Sequence, residues 1–563
     1  MVCLLASCVP QRSPQREAPA EHIEYELWGG LSSGGWRVEV RLPSSIQGSR
    51  ICLPSIGTRS GESLSWRSAH AGDAELRPHW DEEGCFRVPP ISAPLELSYD
   101  VGVLPRDQTS WRVISLSPRA TAHSLLFPGE SLFVELPERF RDSLPAQLRI
   151  HADRGELFST IGALSSRSEE TVQGPEHAEL WVASNEALLR SLLWLSDDAL
   201  QLESQSTHAQ LDVVVEASFA PLSAVFSEQL AAIVDQLDRW VGHDPVPWRG
   251  LLLLDASWDR GAHEGFARGS SAILQLGPES AQDEQELTVL LAHELFHAYN
   301  GGQLRFAPDE YLKTQWFREG ATSYVALLAA VHSGLLSEQR FLSMLAKHAD
   351  GANAAPEHME LAAYDLRRTR SAYDRGVILC MAIDLVLRDL SDNQRSFRAF
   401  WQYLSRSSRW QMEQSNQSLR EALSDYAGMD FSPFFRDYVL AQTPLPIAAL
   451  MRNAGLGVSM VEQVRGELGL ELRYDVQRAA LVVQQATGAA KRAQLRSGDR
   501  LIPTRNTHFD NGLEPVEFEV ERSGELLFLR VFPKKTVDLG YRLEWLADEN
   551  EPPAALRKIL DDR

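Results

Sequence analysis

The spacing of apolar and polar positions changes twice along the chain. From Ile23 to about Ala217, short segments alternate with a period of two, as in Trp36-Arg-Val-Glu-Val-Arg-Leu42, Leu95-Glu-Leu-Ser-Tyr99 and Leu211-Asp-Val-Val-Val-Glu-Ala217. Pairs such as Gly29-Gly30, Gly34-Gly35 and Pro89-Pro90 separate them, so the pattern predicts the strands and turns of a β-sandwich-like domain. From Pro221 to about Asn453 apolar residues recur three and four apart. Amphipathic helices are predicted over 226–240, 284–299, 317–331, 371–390 and 394–404. Two apolar runs in the same region, 250–255 and 271–276, read as strands of a small sheet on its N-terminal side. Short strands return between about Leu456 and Phe532, around a predicted short helix at 488–495, and the last residues form a charged tail in which Leu556-Arg-Lys-Ile-Leu560 is a marginal helix. The expected architecture is multidomain α+β. It comprises an N-terminal segment and tether at 1–21, a β domain at 22–218, a mostly helical domain at 219–453, a smaller β-containing domain at 454–546 and the tail at 547–563.

A length of 563 residues agrees with three or four domains. An apolar fraction of 44% and a charged fraction of 23% exclude wholesale disorder and a fibrous repeat. With 55 basic and 77 acidic residues the formal charge is −22, which argues against a nucleic-acid surface, since phosphate recognition needs clustered Lys and Arg. No apolar run approaches the roughly 20 residues of a membrane helix.

Five cysteines without CxxC spacing form neither a disulfide framework nor a metal knuckle. Leu5-Ala6-Ser7-Cys8 resembles a bacterial lipobox, which implies lipid attachment at Cys8 and a place in the cell envelope, with Val9–Glu21 as the tether. The segment before it is short for a signal peptide and lacks a basic start. Either the start codon lies upstream or the match is coincidental, with a cytoplasmic protein as the alternative. In an oxidising compartment Cys52 and Cys85 can pair; two buried free thiols are the other reading.

The chemistry lies at His293-Glu294-Leu295-Phe296-His297, an HExxH sequence inside a predicted helix. Residues four apart on an α-helix differ by about 40° in direction, so both imidazoles face one side. They can chelate one Zn²⁺, and the glutamate beside the first histidine reaches the activated water. With 15 histidines in 563 residues, chance produces such a match in on the order of a few per cent of sequences, and its position on a helix lowers that further. A catalytic zinc takes a third protein ligand. Glu319, in Trp316-Phe-Arg-Glu319-Gly-Ala-Thr-Ser-Tyr324, is the preferred candidate because a second helix there can cross back to the first. Glu310, after Pro308-Asp309 in a predicted loop, is the competitor.

HExxH followed by Asn300, then the Trp316–Tyr324 segment, resembles the glycyl aminopeptidase family of zinc metallopeptidases. The resemblance implies an N-terminal β domain, a thermolysin-like (gluzincin) catalytic domain and a C-terminal PDZ domain, in the order of the three regions above. It implies zinc held by His293, His297 and Glu319, with Glu294 as general base. Tyr373-Asp-Arg-Gly376 is similar to a Tyr-x-Lys-Gly segment of related enzymes, which implies that the Tyr373 hydroxyl stabilises the oxyanion; a packing residue is the alternative. Gly261-Ala-His-Glu264-Gly265 stands where the family carries Gly-Gly-Leu-Glu-His, which implies that Glu264 binds a substrate's free amine; a plain loop carboxylate is the alternative. The Gly488–Ile502 segment is similar to that of bacterial PDZ domains, with Gly466-Glu-Leu-Gly-Leu470 as a loop able to hold a peptide C-terminus. A domain that only packs against the enzyme is the alternative there.

The chain departs from the family in Tyr299 and in Gly301-Gly302-Gln303, where members carry a Trp and a Lys-Arg pair. The expected activity is peptide-bond hydrolysis by an aminopeptidase. The alternatives are an endopeptidase of the same fold and a non-catalytic scaffold that uses its PDZ-like domain.

Overall fold

The computed structural model describes residues 21–54, 62–81, 84–103, 118–120, 123–159, 178–207, 210–217, 220, 223–242, 251–256, 263–268, 271–276, 283–302, 304–307, 310, 313–353, 366–407, 413–441, 443–475, 480–502, 513–546 and 555–561. The alternating segments of the N-terminal region form a seven-stranded and a four-stranded sheet. Ile23, Tyr25 and Leu27 point inward from the first strand, Ile23–Gly30, and meet Leu125, Phe127, Leu193 and Leu195 of the smaller sheet in one core. Cys52 and Cys85 stand opposite each other in a short antiparallel ladder and are joined as a disulfide, which decides between the two readings of that pair.

The strands Ser124–Pro128 and Leu192–Ser196 are buried at every position, although alternation alone leaves one face to solvent. Their second face is covered as well: Leu126, Leu192 and Trp194 pack on Val214 and Ile273 of the next sheet. That next sheet has five strands, in the order Leu200–Gln205, Gln210–Val215, Leu251–Ala256, Ser271–Leu276 and His263–Arg268. The hairpin 200–215, which alternation groups with the N-terminal region, is thus the start of the sheet that supports the helical region. Its Asp212–Val215 stretch pairs in parallel with Leu251–Leu254.

Four helices under and beside this sheet shape the site. The motif helix is Glu284–Phe296, the ligand helix Gln315–His332, the strut helix Glu338–Asn353 and the tyrosine helix Leu366–Asp389. The strut helix and a further helix at Asn416–Ala427 were not among the sequence expectations. The ligand helix is buried over almost its whole length, as an all-round apolar helix at the centre of a helical core must be.

At the C-terminus, Leu456–Glu467 and Lys534–Trp545 pair along their full length as a two-stranded ribbon. Between these two strands in the chain lies a five-stranded antiparallel sheet, with a one-turn helix at Gly488–Arg492. The tail carries a helix, Ala555–Asp561. Leu556, Ile559 and Leu560 are buried in the core of the helical region, and the Ile559 carbonyl lies 3.1 Å from His332 Nε2. Among the described residues no helix is long and apolar enough to cross a membrane.

Candidate active site

The motif helix begins at Asp283, whose carboxylate accepts the Glu286 N–H at 3.0 Å and satisfies a donor that the first turn leaves open. It ends at Phe296, with His297 as its C-cap, so the histidine pair occupies the last turn. Leu287, Leu291, Leu295 and Phe296 are buried on the core side, which directs His293 and His297 toward the ligand helix.

There the two imidazoles meet Glu319. His293 Nε2 and His297 Nε2 are 3.1 Å apart, and Glu319 Oε2 lies 3.4 Å from the first and 3.2 Å from the second. Four-coordinate zinc with bonds of about 2.0–2.1 Å separates its ligand atoms by roughly 3.3 Å. Glu319 Oε2 is buried without a hydrogen-bond partner, and burying such an atom is unfavourable unless a cation takes it. The outer ring nitrogens point away from this centre. His293 Nδ1 is 3.1 Å from Ser323 Oγ, and His297 Nδ1 is 3.2 Å from the Asn300 carbonyl. These contacts orient both rings with Nε2 inward, as metal-ligating histidines require. The donor set therefore fits zinc. Among the described residues this is the one cluster of His, Cys, Asp and Glu that converges as a metal site. Glu310 is outside it and pairs with Lys313 at 2.6 Å.

The electrostatics agree with an anionic ligand. Burial works to raise the Glu319 carboxyl, but His297, His293 and the Arg318 guanidinium outweigh it and hold the group well below the usual carboxylate range. Arg318 pairs with Oε1, which leaves Oε2 to the centre. Glu294 is buried beside the cluster, 4.0 Å from His293 Nε2. Burial is the main influence and pushes its carboxyl up against the opposing effect of the two histidines.

Two close approaches set the remaining geometry. Gly265, in the outer strand of the five-stranded sheet, lies directly on Glu294: a Cβ there would fall 2.3 Å from Cγ and 2.6 Å from Oε1. Gly320 and Gly376 lie backbone to backbone where the ligand and tyrosine helices cross, each Cβ position within 2.6 Å of the other residue's Cα. That crossing places Tyr373 over the site. Its ring is 5.8 Å from the His293 ring at 21°. Burial first, then Glu319, pushes the Tyr373 phenol well up, so it stays a proton-bearing donor.

Asn300 ties the turn after the motif helix to the ligand helix. Its amide donates to the Arg318 carbonyl at 2.9 Å and to Thr322 Oγ1 at 3.0 Å. Sequence reasoning noted Asn300 only as part of a resemblance and did not foresee Ser323, Arg318 or Asn300 in these supporting contacts. Their signal is positional: Ser323 stands one turn past Glu319, where a ligand helix faces the metal.

Glu264 stands in the strand His263–Arg268, its backbone opposite Gln275. Its side chain lies outside the described residues, as does Cys8.

Residues 286–372 match the family model of the M61 glycyl aminopeptidases. An aminopeptidase N family protein from Idiomarina loihiensis is similar in structure at TM-score 0.68 and 18% identity, over 96% of this chain and 100% of that one. The M1 zinc metallopeptidase from Deinococcus radiodurans follows at TM-score 0.52 and 16% identity, over 76% of this chain and 95% of that one. A mutant of the same Deinococcus radiodurans enzyme, bound to a Tyr-Ser-Ala substrate, gives TM-score 0.51 and 15% identity, over 76% and 95%. At these identities the likeness is one of fold. None of the curated proteins matches the chain.

Proposed function

We propose that this chain, a zinc metallopeptidase whose residues 286–372 form a region of the M61 glycyl aminopeptidase family, removes residues from the N-termini of peptides. The observation that carries the peptidase chemistry is the convergence of His293, His297 and Glu319 on one point with Glu294 buried beside it. Zinc held by those three residues supplies Lewis-acid polarisation of water and of the scissile carbonyl.

The remaining work falls to side chains. Glu294 accepts a proton from the attacking water and returns it to the leaving amine. Its raised carboxyl suits both halves of that cycle, because a base closer to neutrality also serves as an acid. Tyr373, held as a neutral phenol, donates its O–H to the oxyanion that develops on the scissile carbonyl. Ser323 and the Asn300 carbonyl keep the imidazoles in one orientation throughout.

The aminopeptidase assignment draws on the family of the matched region and on Glu264 as the counterpart of the glutamate in the family's Gly-Gly-Leu-Glu-His segment. A carboxylate in that role pairs with a peptide ammonium and sets cleavage one residue from the N-terminus. The C-terminal sheet and its one-turn helix are read as a PDZ-like unit whose Gly466–Leu470 loop receives a peptide C-terminus. Cys8 is read as a lipid anchor in the cell envelope, in keeping with a Cys52–Cys85 disulfide.

Paired peptide substrates with free and acetylated N-termini test the assignment. Hydrolysis of the free peptide with loss of its first residue, and no hydrolysis of the acetylated one, is the expected result. Internal cleavage of acetylated peptides at comparable rates would make this an endopeptidase.

A further inference from the structure

The tyrosine helix carries a second polar residue next to Tyr373, which the mechanism above does not use. Asp374 Oδ1 lies 2.7 Å from His348 Nδ1 on the strut helix, with side-chain exposures of 15% and 23%. The other carboxylate oxygen rests on Gly351, where a Cβ would fall 1.9 Å from Oδ2 and 2.4 Å from Cγ. His348 and Gly351 are three residues apart on one helix and so share a face. Asp374 is therefore seated between a ring that bonds it and a backbone that admits it only because a side chain is missing.

The seat is itself braced. Asp350, beside Gly351, accepts the Tyr541 N–H at 2.7 Å and Gln463 Nε2 at 3.1 Å, which fastens the strut helix to the C-terminal ribbon. At the next position of the tyrosine helix, the Arg375 guanidinium donates to the carbonyls of Tyr438 at 2.9 Å and Thr443 at 2.6 Å. A mostly buried carboxylate is unfavourable unless it is bonded in good geometry, so this arrangement has one favoured rotation of the helix.

We propose that Asp374 is a positioning residue: clamped by His348 and Gly351, it fixes the rotation of the tyrosine helix and so the place of the Tyr373 hydroxyl over the metal site. The inference rests on the reading of Tyr373 as the oxyanion donor.

A double-mutant cycle in the full-length, zinc-loaded enzyme tests it, with Tyr373→Phe, Asp374→Ala and their combination. Zinc affinity is read by chelator competition and folding by thermal melting. Asp374→Ala is expected to lower kcat by roughly 10- to 100-fold, with KM and zinc affinity changed by less than about twofold. Asp374→Asn, which keeps an acceptor for His348, is expected to recover most of the loss. In the Tyr373→Phe background, Asp374→Ala is expected to change kcat by less than about twofold, because residues that act as a unit are not additive. Should Asp374→Ala not fold, His348→Gln enters the same cycle from the other partner.

If Asp374→Ala costs the same factor in both backgrounds, or if its loss follows zinc affinity, the positioning role is wrong while Tyr373 keeps its own. If Tyr373→Phe alone leaves kcat unchanged, the oxyanion reading fails and the positioning role fails with it.

Discussion

Replacing Gly265 by alanine adds a single methyl group at the most crowded point of the site. That carbon would lie 2.3 Å from Glu294 Cγ and 2.6 Å from both Cδ and Oε1. Non-bonded carbons rest at about 3.5–4.0 Å, so the two groups must separate by about 1 Å or more. Gly265 belongs to a strand paired along its length with Ser271–Leu276, whereas the atoms it meets are the outer part of one side chain. The carboxylate therefore yields before the sheet does. A displacement of about 1 Å in a catalytic group lowers turnover on the order of 10²-fold, about 2.7 kcal/mol of transition-state stabilisation. Steady-state hydrolysis of a free-amine dipeptide should show this loss in kcat. The three ligands are untouched, so zinc content and melting temperature should stay at their wild-type values. Gly265→Ala with unchanged kcat would refute the placement of Glu294 against the outer strand. A variant that loses zinc as well would show that the strand supports the ligands and not the base.

Asn300→Ala removes the amide that joins the motif turn to the ligand helix; zinc affinity should fall by a factor of about 10–100, as is typical for supporting partners of metal ligands, and chelator competition measures it. Tyr373→Phe should lower kcat by roughly 10²–10³ with little change in KM, and steady-state kinetics that show the reverse pattern would return the residue to packing. Glu264→Ala should raise KM for free-amine substrates and leave zinc content unaltered; equal KM values for the variant and the wild type would remove the amine-binding role. Because Glu294 must be unprotonated to accept a proton, and burial raises its carboxyl, kcat/KM should be lost as pH falls through a value above the ordinary carboxylate range. A profile flat down to about pH 4 would contradict that assignment.

The metal site was legible because helical geometry turns a spacing into a direction. His293 and His297 share a helix side whatever surrounds them, and the Trp316–Tyr324 segment was already helical by its period. What could not be read was which partner each group meets across the fold. Asn300 and Ser323 act on residues brought near by the packing of the motif helix on the ligand helix, and the place of Tyr373 depends on a separate crossing, where Gly320 and Gly376 fit against each other. The hairpin 200–215 alternates like the strands before it, and only pairing with Leu251–Leu254 assigns it to the next sheet. Leu556-Arg-Lys-Ile-Leu560 is too short to form a helix alone; burial against the helical core stabilises it. Cys52 and Cys85 carried no local signal, since their pairing follows from strand register.

Zinc stoichiometry measured beside peptide hydrolysis, in the wild type, His297→Ala and Glu294→Gln, bears most directly on the central claim. The site described here predicts one zinc per wild-type chain. His297→Ala should lose both the metal and the activity, whereas Glu294→Gln should keep the metal and lose most turnover, because it removes the base and none of the ligands. Full zinc and full hydrolysis in His297→Ala, or wild-type turnover in Glu294→Gln, would contradict it.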